Sequence, residues 1–205
     1  MIRAIIFDWF GVCVERWISV WQRELGSNAN PELLERFFLR QLDAYASNLI
    51  SGPQFLERVF NDLGLDPNGY GYLLTKLGQL NFELLDLIEE LRRSGYKTAV
   101  LSDNFNEIVP VIETKIGGFE RYFDIVCLSN RLGISKSSIE IFLKVGEQLM
   151  TLGIEGTNCV FVDDRQNNLD MAKEVGWKPI LYRDNGQLLK TLLRQGIAIH
   201  QRHSK

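Results

Sequence analysis

Five short apolar runs, each ending in polar or acidic residues, constrain this chain more than any other feature. "AIIFD" (Ala4–Asp8), "TAVLSDN" (Thr98–Asn104), "DIVCLSN" (Asp124–Asn130), "CVFVDD" (Cys159–Asp164) and "KPILYRD" (Lys178–Asp184) share that design. Unbroken apolar character, in place of strict alternation, marks strands buried on both faces, as in a parallel sheet covered by helices. Amphipathic stretches lie between the runs. "NFELLDLIEELRRSG" (Asn81–Gly95) has apolar residues at helical spacing, acids early, arginines late and a closing glycine, as the helix dipole and cap rules require. "SSIEIFLKVGEQLMTLG" and "RQNNLDMAKEVGW" follow the same pattern. Strand and helix in alternation predict an α/β fold with a doubly wound parallel sheet.

The interval from Glu15 to Leu80 departs from this alternation. It contains no second buried strand and reads as helices: "NPELLERFFLRQLDAY", then "SGPQFLERVFNDLG" with Ser51 as N-cap and Pro53 in the first turn. The expected organisation is an α/β core of residues 1–14 and 81–205, with residues 15–80 inserted as a small helical cap after the first strand. There are no repeats and no low-complexity segment, and only the last six or so residues are expected to be disordered.

Composition bounds the chemistry. The 205 residues are 45% hydrophobic and 24% charged, enough for a full core, with a net charge of −3 that gives no footprint for nucleic acid or an anionic membrane surface. No apolar run reaches the ~18 residues needed to span a bilayer. The opening run is too short and too acidic for a signal segment. Cys13, Cys127 and Cys159 are far apart, each inside or beside an apolar run. They read as buried thiols of a reducing compartment, hence a cytoplasmic protein. Both histidines, His200 and His203, sit in the tail, which removes Ser–His and Cys–His catalysis and most zinc chemistry.

Ligands bind open parallel sheets at the carboxyl ends of the strands, where the topology reverses. Those ends deliver Asp8, then Ser102, Asp103 and Asn104, then Asp163 and Asp164. Acids gathered at one edge repel one another unless a cation or substrate organises them, and hard oxygen donors without histidine favour Mg²⁺. Lys136 in "LGISKSSIEIF" supplies a cation able to hold an anion against the cluster. Carboxylate, metal, hydroxyl and lysine together suit phosphoryl transfer to an aspartate nucleophile.

These motifs, in the order "IIFDWFGV", "VLSDN", "GISK" before a helix and "FVDDRQNNLDMAKEVGW", resemble the haloacid dehalogenase-like (HAD) hydrolase superfamily over essentially the whole chain. The paired aspartates followed by Asn168, Ala172 and Gly176–Trp177 are the most specific part. "SNLISGPQF" is similar to the cap of the branch that includes the N-terminal phosphatase domain of epoxide hydrolases. The resemblance implies a Rossmann-like core and a helical cap over a small phosphorylated substrate. It implies Asp8 as nucleophile and Mg²⁺ ligand, and a Phe10 backbone carbonyl on the metal. It also implies phosphate binding by Ser102, Asp103, Asn104 and Lys136, with Asp164 as direct metal ligand and Asp163 as its companion.

Phe10 stands where most phosphatases of that superfamily carry a second aspartate, which moves the proton of the leaving group and of the attacking water, an effect worth ~10²–10⁴-fold. Three readings stay open at this point. One is a phosphatase that works without that acid. Another is a catalytically weak module binding phosphate and metal for regulation. The third is a haloacid dehalogenase, against which the intact Asp163–Asp164 pair speaks. A phosphonate hydrolase using a cap lysine is disfavoured because Lys76 lies at the far end of the insert. Bland roles are expected elsewhere: Trp9, Trp17 and Trp21 in packing, Glu15 solvated, and one of Asp163 and Asp164 capping the following helix.

Overall fold

A computed structural model describes residues 1–198. The expected disordered tail, with His200 and His203, lies outside the described residues. All five expected strands form: β1 (Ala4–Phe7), β2 (Lys97–Ser102), β3 (Ile125–Leu128), β4 (Cys159–Asp163) and β5 (Lys178–Leu181). They pair in parallel in the order β3-β2-β1-β4-β5, so β1 is central and the chain reverses direction of travel at the β1–β4 boundary.

The unbroken apolar runs are explained by two cores, one on each face. Side chains alternate along a strand, so Ala4 and Ile6 pack with Phe142, Phe161 and Trp177 on one face. Ile5 and Phe7 pack with Val100, Val162 and Ile88 on the other. Helices α1 (Trp17–Leu25), α2 (Pro31–Ala46) and α3 (Gly52–Leu63) occupy the interval after β1, followed by α4 (Phe82–Arg93). Helices α5 (Val109–Ile116) and α6 (Ser129–Leu132) follow β2 and β3 respectively. Next come α7 (Ile139–Thr151), α8 (Gln166–Glu174) and α9 (Asn185–Arg194). No helix of the described residues is long and apolar enough to cross a membrane.

Local signals set the helix starts. Ser51 and Gln54 form a reciprocal capping box on α3, and Asn30, Asn81 and Asp184 cap α2, α4 and α9 through side-chain oxygens. Neither acid of the Asp163–Asp164 pair is the N-cap of α8. That position is Arg165, which makes no side-chain cap bond, because Asp163 is drawn inward by Lys136 and Asn168. Glu15 also differs from expectation: it pairs with Arg23 (2.6 and 3.1 Å) and accepts the Gln79 N–H, so it ties the two ends of the interval together.

The helices after β1 share one buried cluster with the sheet. An aromatic stack joins them to the core: Trp17 lies on Phe105 with centroids 4.6 Å apart, Tyr45 lies on Phe105 at 4.3 Å and on Phe55 at 4.6 Å. Phe105 sits just after β2, so this stack presses α1–α3 onto the carboxyl edge of the sheet. Glu107 reinforces the contact by accepting from the Tyr45 hydroxyl and the Gly52 N–H. Cys13, Cys127 and Cys159 are all buried and free, and burial raises the Cys127 thiol to about 12 and the Cys159 thiol to about 11.

Candidate functional site

Strand register brings the acids together. Phe7 pairs with Val162, which sets the next residues, Asp8 and Asp163, side by side at the carboxyl edge. The Asp8 N–H donates to the Val162 carbonyl at 2.9 Å, fixing that level. One oxygen each from Asp8, Asp163 and Asp164 lie within 4.8 Å of one another. Lys136, in the loop before α7, enters from β3's side and bridges two of them: its Nζ is 2.7 Å from Asp8 Oδ1 and 2.9 Å from Asp163 Oδ2. All three groups are almost fully buried.

Each carboxylate is held differently. Asp163 accepts the Asn168 amide on both oxygens (3.0 and 2.9 Å) and the Arg165 N–H at 2.8 Å. Asp8 Oδ1 also accepts the Trp9 N–H at 2.7 Å. Asp164 pairs through Oδ2 with the Arg16 guanidinium, while its Oδ1 is buried without a hydrogen-bond partner among the described residues. Gly11 makes room for this arrangement. Its φ is +90°, and a Cβ there would come within 2.2 Å of Asp164 Oδ2.

Electrostatics follow from burial and crowding. Burial, then the charges of Asp163 and Asp164, hold the Asp8 carboxyl well above its ordinary range, with Lys136 opposing. Burial alone would discharge Lys136, but Asp163, Asp8 and Asp103 outweigh it and keep the ammonium charged. Three converging carboxylates are thus answered by one ammonium and one guanidinium. The donor set is all hard oxygen, with a buried Asp164 oxygen still unpartnered, and this fits a divalent hard cation.

Above the acids lies a cavity of ≈ 110 Å³, lined by Asp8, Asp103, Lys136 and Asp164 at its base and by Phe10, Trp17, Ile18, Phe38, Leu39 and Leu42 towards the helices. Of the residues expected at the site, Ser102 and Asn104 are not on its wall. Both are fully buried: the Ser102 hydroxyl donates to the Asp103 carbonyl at 3.1 Å and accepts the Asn104 amide at 3.4 Å, while the Asn104 N–H is bound to Ser129 Oγ. Asp103 takes the wall position instead, its Oδ1 accepting the Lys136 N–H at 2.8 Å. Trp17 is largely a packing residue, and Trp9 and Trp21 are fully buried.

Sequence reasoning gave no role to Arg16, Arg165, Leu39 or Leu42, which line the cavity. Arg165 directly follows the aspartate pair, a position that could have marked it. Arg16 carries no local signal, because only folding brings it to Asp164, 148 residues away.

A family model described as haloacid dehalogenase-like hydrolase matches residues 2–176. The chain is 26% identical over 116 residues to bifunctional epoxide hydrolase 2 of Rattus norvegicus, covering 55% of this chain and 20% of that one. It is 26% identical over 107 residues to Phosphatase MT3486 of Mycobacterium tuberculosis, covering 52% and 48%. It therefore spans about a fifth to a half of the curated relatives it matches. Among solved structures, a HAD family enzyme from Bacteroides thetaiotaomicron in complex with magnesium and inorganic phosphate superposes with a TM-score of 0.66 at 23% identity. That match covers 92% of this chain and 99% of that one.

Proposed function

The chain belongs to the haloacid dehalogenase-like hydrolases, and on that premise we propose that it is a Mg²⁺-dependent phosphatase of small phosphorylated metabolites, acting through an aspartyl-phosphate on Asp8. One observation carries the reading: Asp8, Asp163 and Asp164 converge within 4.8 Å under a cavity, with Lys136 bridging Asp8 and Asp163. In this reading residues 1–14 and 81–205 are the catalytic core and residues 15–80 the cap that encloses the substrate. The solved Bacteroides thetaiotaomicron enzyme, bound to magnesium and phosphate, supports the choice of ligands.

Asp8, Asp164 and the Phe10 carbonyl would hold Mg²⁺, with Asp163 alongside; the ion supplies charge neutralisation for the phosphoryl oxygens. This chain's residues do the rest. Asp8 attacks phosphorus, and its carboxylate is kept pointing at the cavity by the Trp9 N–H and Lys136. Lys136, held charged, offsets the growing negative charge on the transferred group. Asn168 and the Arg165 N–H fix Asp163 so that Lys136 has one defined position. Asp103, just after the end of β2, is on the cavity wall and faces the phosphoryl group, with Ser102 buried behind it.

Release of phosphate from a panel of esters, compared between wild type and Asp8→Asn, tests the reading. Equal release from both proteins, or release unaffected by EDTA, would sink it. Phe10 favours one competing reading, a module that binds phosphate and metal with little turnover. In that case Mg²⁺ with beryllofluoride raises Tm while no ester is hydrolysed. One good substrate turned over near the ~10 s⁻¹ median of enzymes excludes it.

A further inference from the structure

We propose that Asp103 is the general acid–base of this site, protonating the departing oxygen and later taking the proton of the hydrolytic water. The inference rests on the phosphatase reading above. Few groups on the cavity wall can give up a proton to a leaving group. Phe10 lines the cavity and has none to give. Asp8 is the nucleophile, and Asp164 is bound to Arg16. Arginine side chains stay charged, which removes Arg16 and Arg165. Lys136 is tied to Asp8 and Asp163. Glu35 is exposed on α2, at the solvent side of the cavity.

Asp103 remains, and its placement suits the task. Its Oδ1 is anchored by the Lys136 N–H at 2.8 Å, and among the described residues no hydrogen bond reaches its Oδ2. The charged groups facing it come from three elements: Lys136 from the loop before α7, Asp43 from α2 and Arg165 from the loop after β4. Burial dominates and holds the carboxyl above its ordinary range, with Lys136 opposing and Asp43 adding, the direction an acid catalyst needs. Asp43 belongs to the helices over the site and donates nothing to Asp103; it accepts from Ser135 at 3.3 Å.

The steps balance. As Asp8 forms its bond to phosphorus, the phosphorus–oxygen bond of the ester breaks and its electron pair goes to the departing oxygen. That oxygen takes the Asp103 proton and leaves as the alcohol. In the second half Asp103, now a carboxylate, accepts a proton from water as the water oxygen attacks phosphorus. Inorganic phosphate leaves and the Asp8 carboxylate is restored.

The experiment compares wild type, Asp103→Asn and Asp103→Glu on alkyl phosphates, whose leaving groups need a proton, and on activated aryl phosphates, whose leaving groups do not. Asp103→Asn keeps the acceptor for the Lys136 N–H, so its Tm, and its stabilisation by Mg²⁺ with beryllofluoride, should match wild type. Alkyl phosphate hydrolysis should fall ~10²–10⁴-fold, aryl phosphate hydrolysis less than about tenfold, and the limb of the kcat/KM pH profile belonging to the acid should vanish. Asp103→Glu should recover part of the alkyl phosphate rate. An equal fall on both ester classes, an unchanged rate, or an unchanged pH profile would overturn the assignment. If wild type hydrolyses neither class, the phosphatase reading and this assignment fail together. Wild-type turnover abolished by Asp8→Asn, but insensitive to Asp103→Asn, refutes the assignment alone.

Discussion

Replacing Lys136 by methionine removes the one ammonium that two buried carboxylates share. At 2.7 and 2.9 Å, and at an effective dielectric of about 20, each pair has a gross attraction on the order of 6 kcal/mol. Most of that repays the desolvation of three charges. Removing one partner of a buried pair typically costs ~3–5 kcal/mol, because the charge left behind has lost both water and its counter-ion. Lys136→Met should therefore lose ~3–5 kcal/mol, equivalent to a Tm lower by about 6–20 °C at ~2–4 °C per kcal/mol. The loss should not fall equally on the two acids. Asp163 keeps the Asn168 amide and the Arg165 N–H, whereas Asp8 keeps only its contact with the Trp9 N–H. Asp8→Asn in the Lys136→Met background should consequently restore more stability than Asp163→Asn does. Urea unfolding of the single and double variants in metal-free buffer measures both effects. A loss under ~1 kcal/mol, or better rescue by Asp163→Asn, would refute the view that Lys136 is chiefly the counter-ion of Asp8.

Gly11→Ala should destabilise the protein by ~1–2 kcal/mol from its left-handed backbone alone. It should also weaken Mg²⁺ binding in calorimetry, since the new Cβ displaces Asp164. Arg16→Ala should tighten Mg²⁺ binding in the same assay by removing a cation that competes for Asp164; weaker binding would make Arg16 a support of the site instead. Burial alone would raise Asp124, but the Thr98 N–H, Lys97 and Arg92 hold its carboxyl below the ordinary range. Its contribution is complete above the unfolded pKa and lost as pH falls through the folded one. Asp124→Asn should therefore flatten the acid limb of stability against pH and change it little below pH ~2.

The sheet was legible in the sequence because each strand is buried on both faces, and that requirement writes an unbroken apolar run. Asp8, Asp163 and Asp164 were legible for a related reason: a carboxylate ending such a run has few structural excuses. The helices after β1 could be read individually from Asn30, Ser51 and their amphipathic spacing. Their shared core with the sheet could not, because Trp17, Tyr45, Phe55 and Phe105 meet only through long-range packing. Lys136 carried a signal in its loop-then-helix context, but the bridge from Asp8 to Asp163 depends on strand register. The end of β2 shows the limit most clearly. Ser102, Asp103 and Asn104 are consecutive polar residues with equal claims on a ligand, and the chain's pleat and the Ser129 hydroxyl decide among them. Local composition, periodicity and caps thus determined the strands, the helices and the acids at the edge. Register and packing alone decided that Asp103 faces the cavity, that Arg16 reaches Asp164, and that Phe10 shares its wall with Leu39 and Leu42. Those contacts join residues far apart in the chain, and no local pattern of residues encodes a distance of that kind.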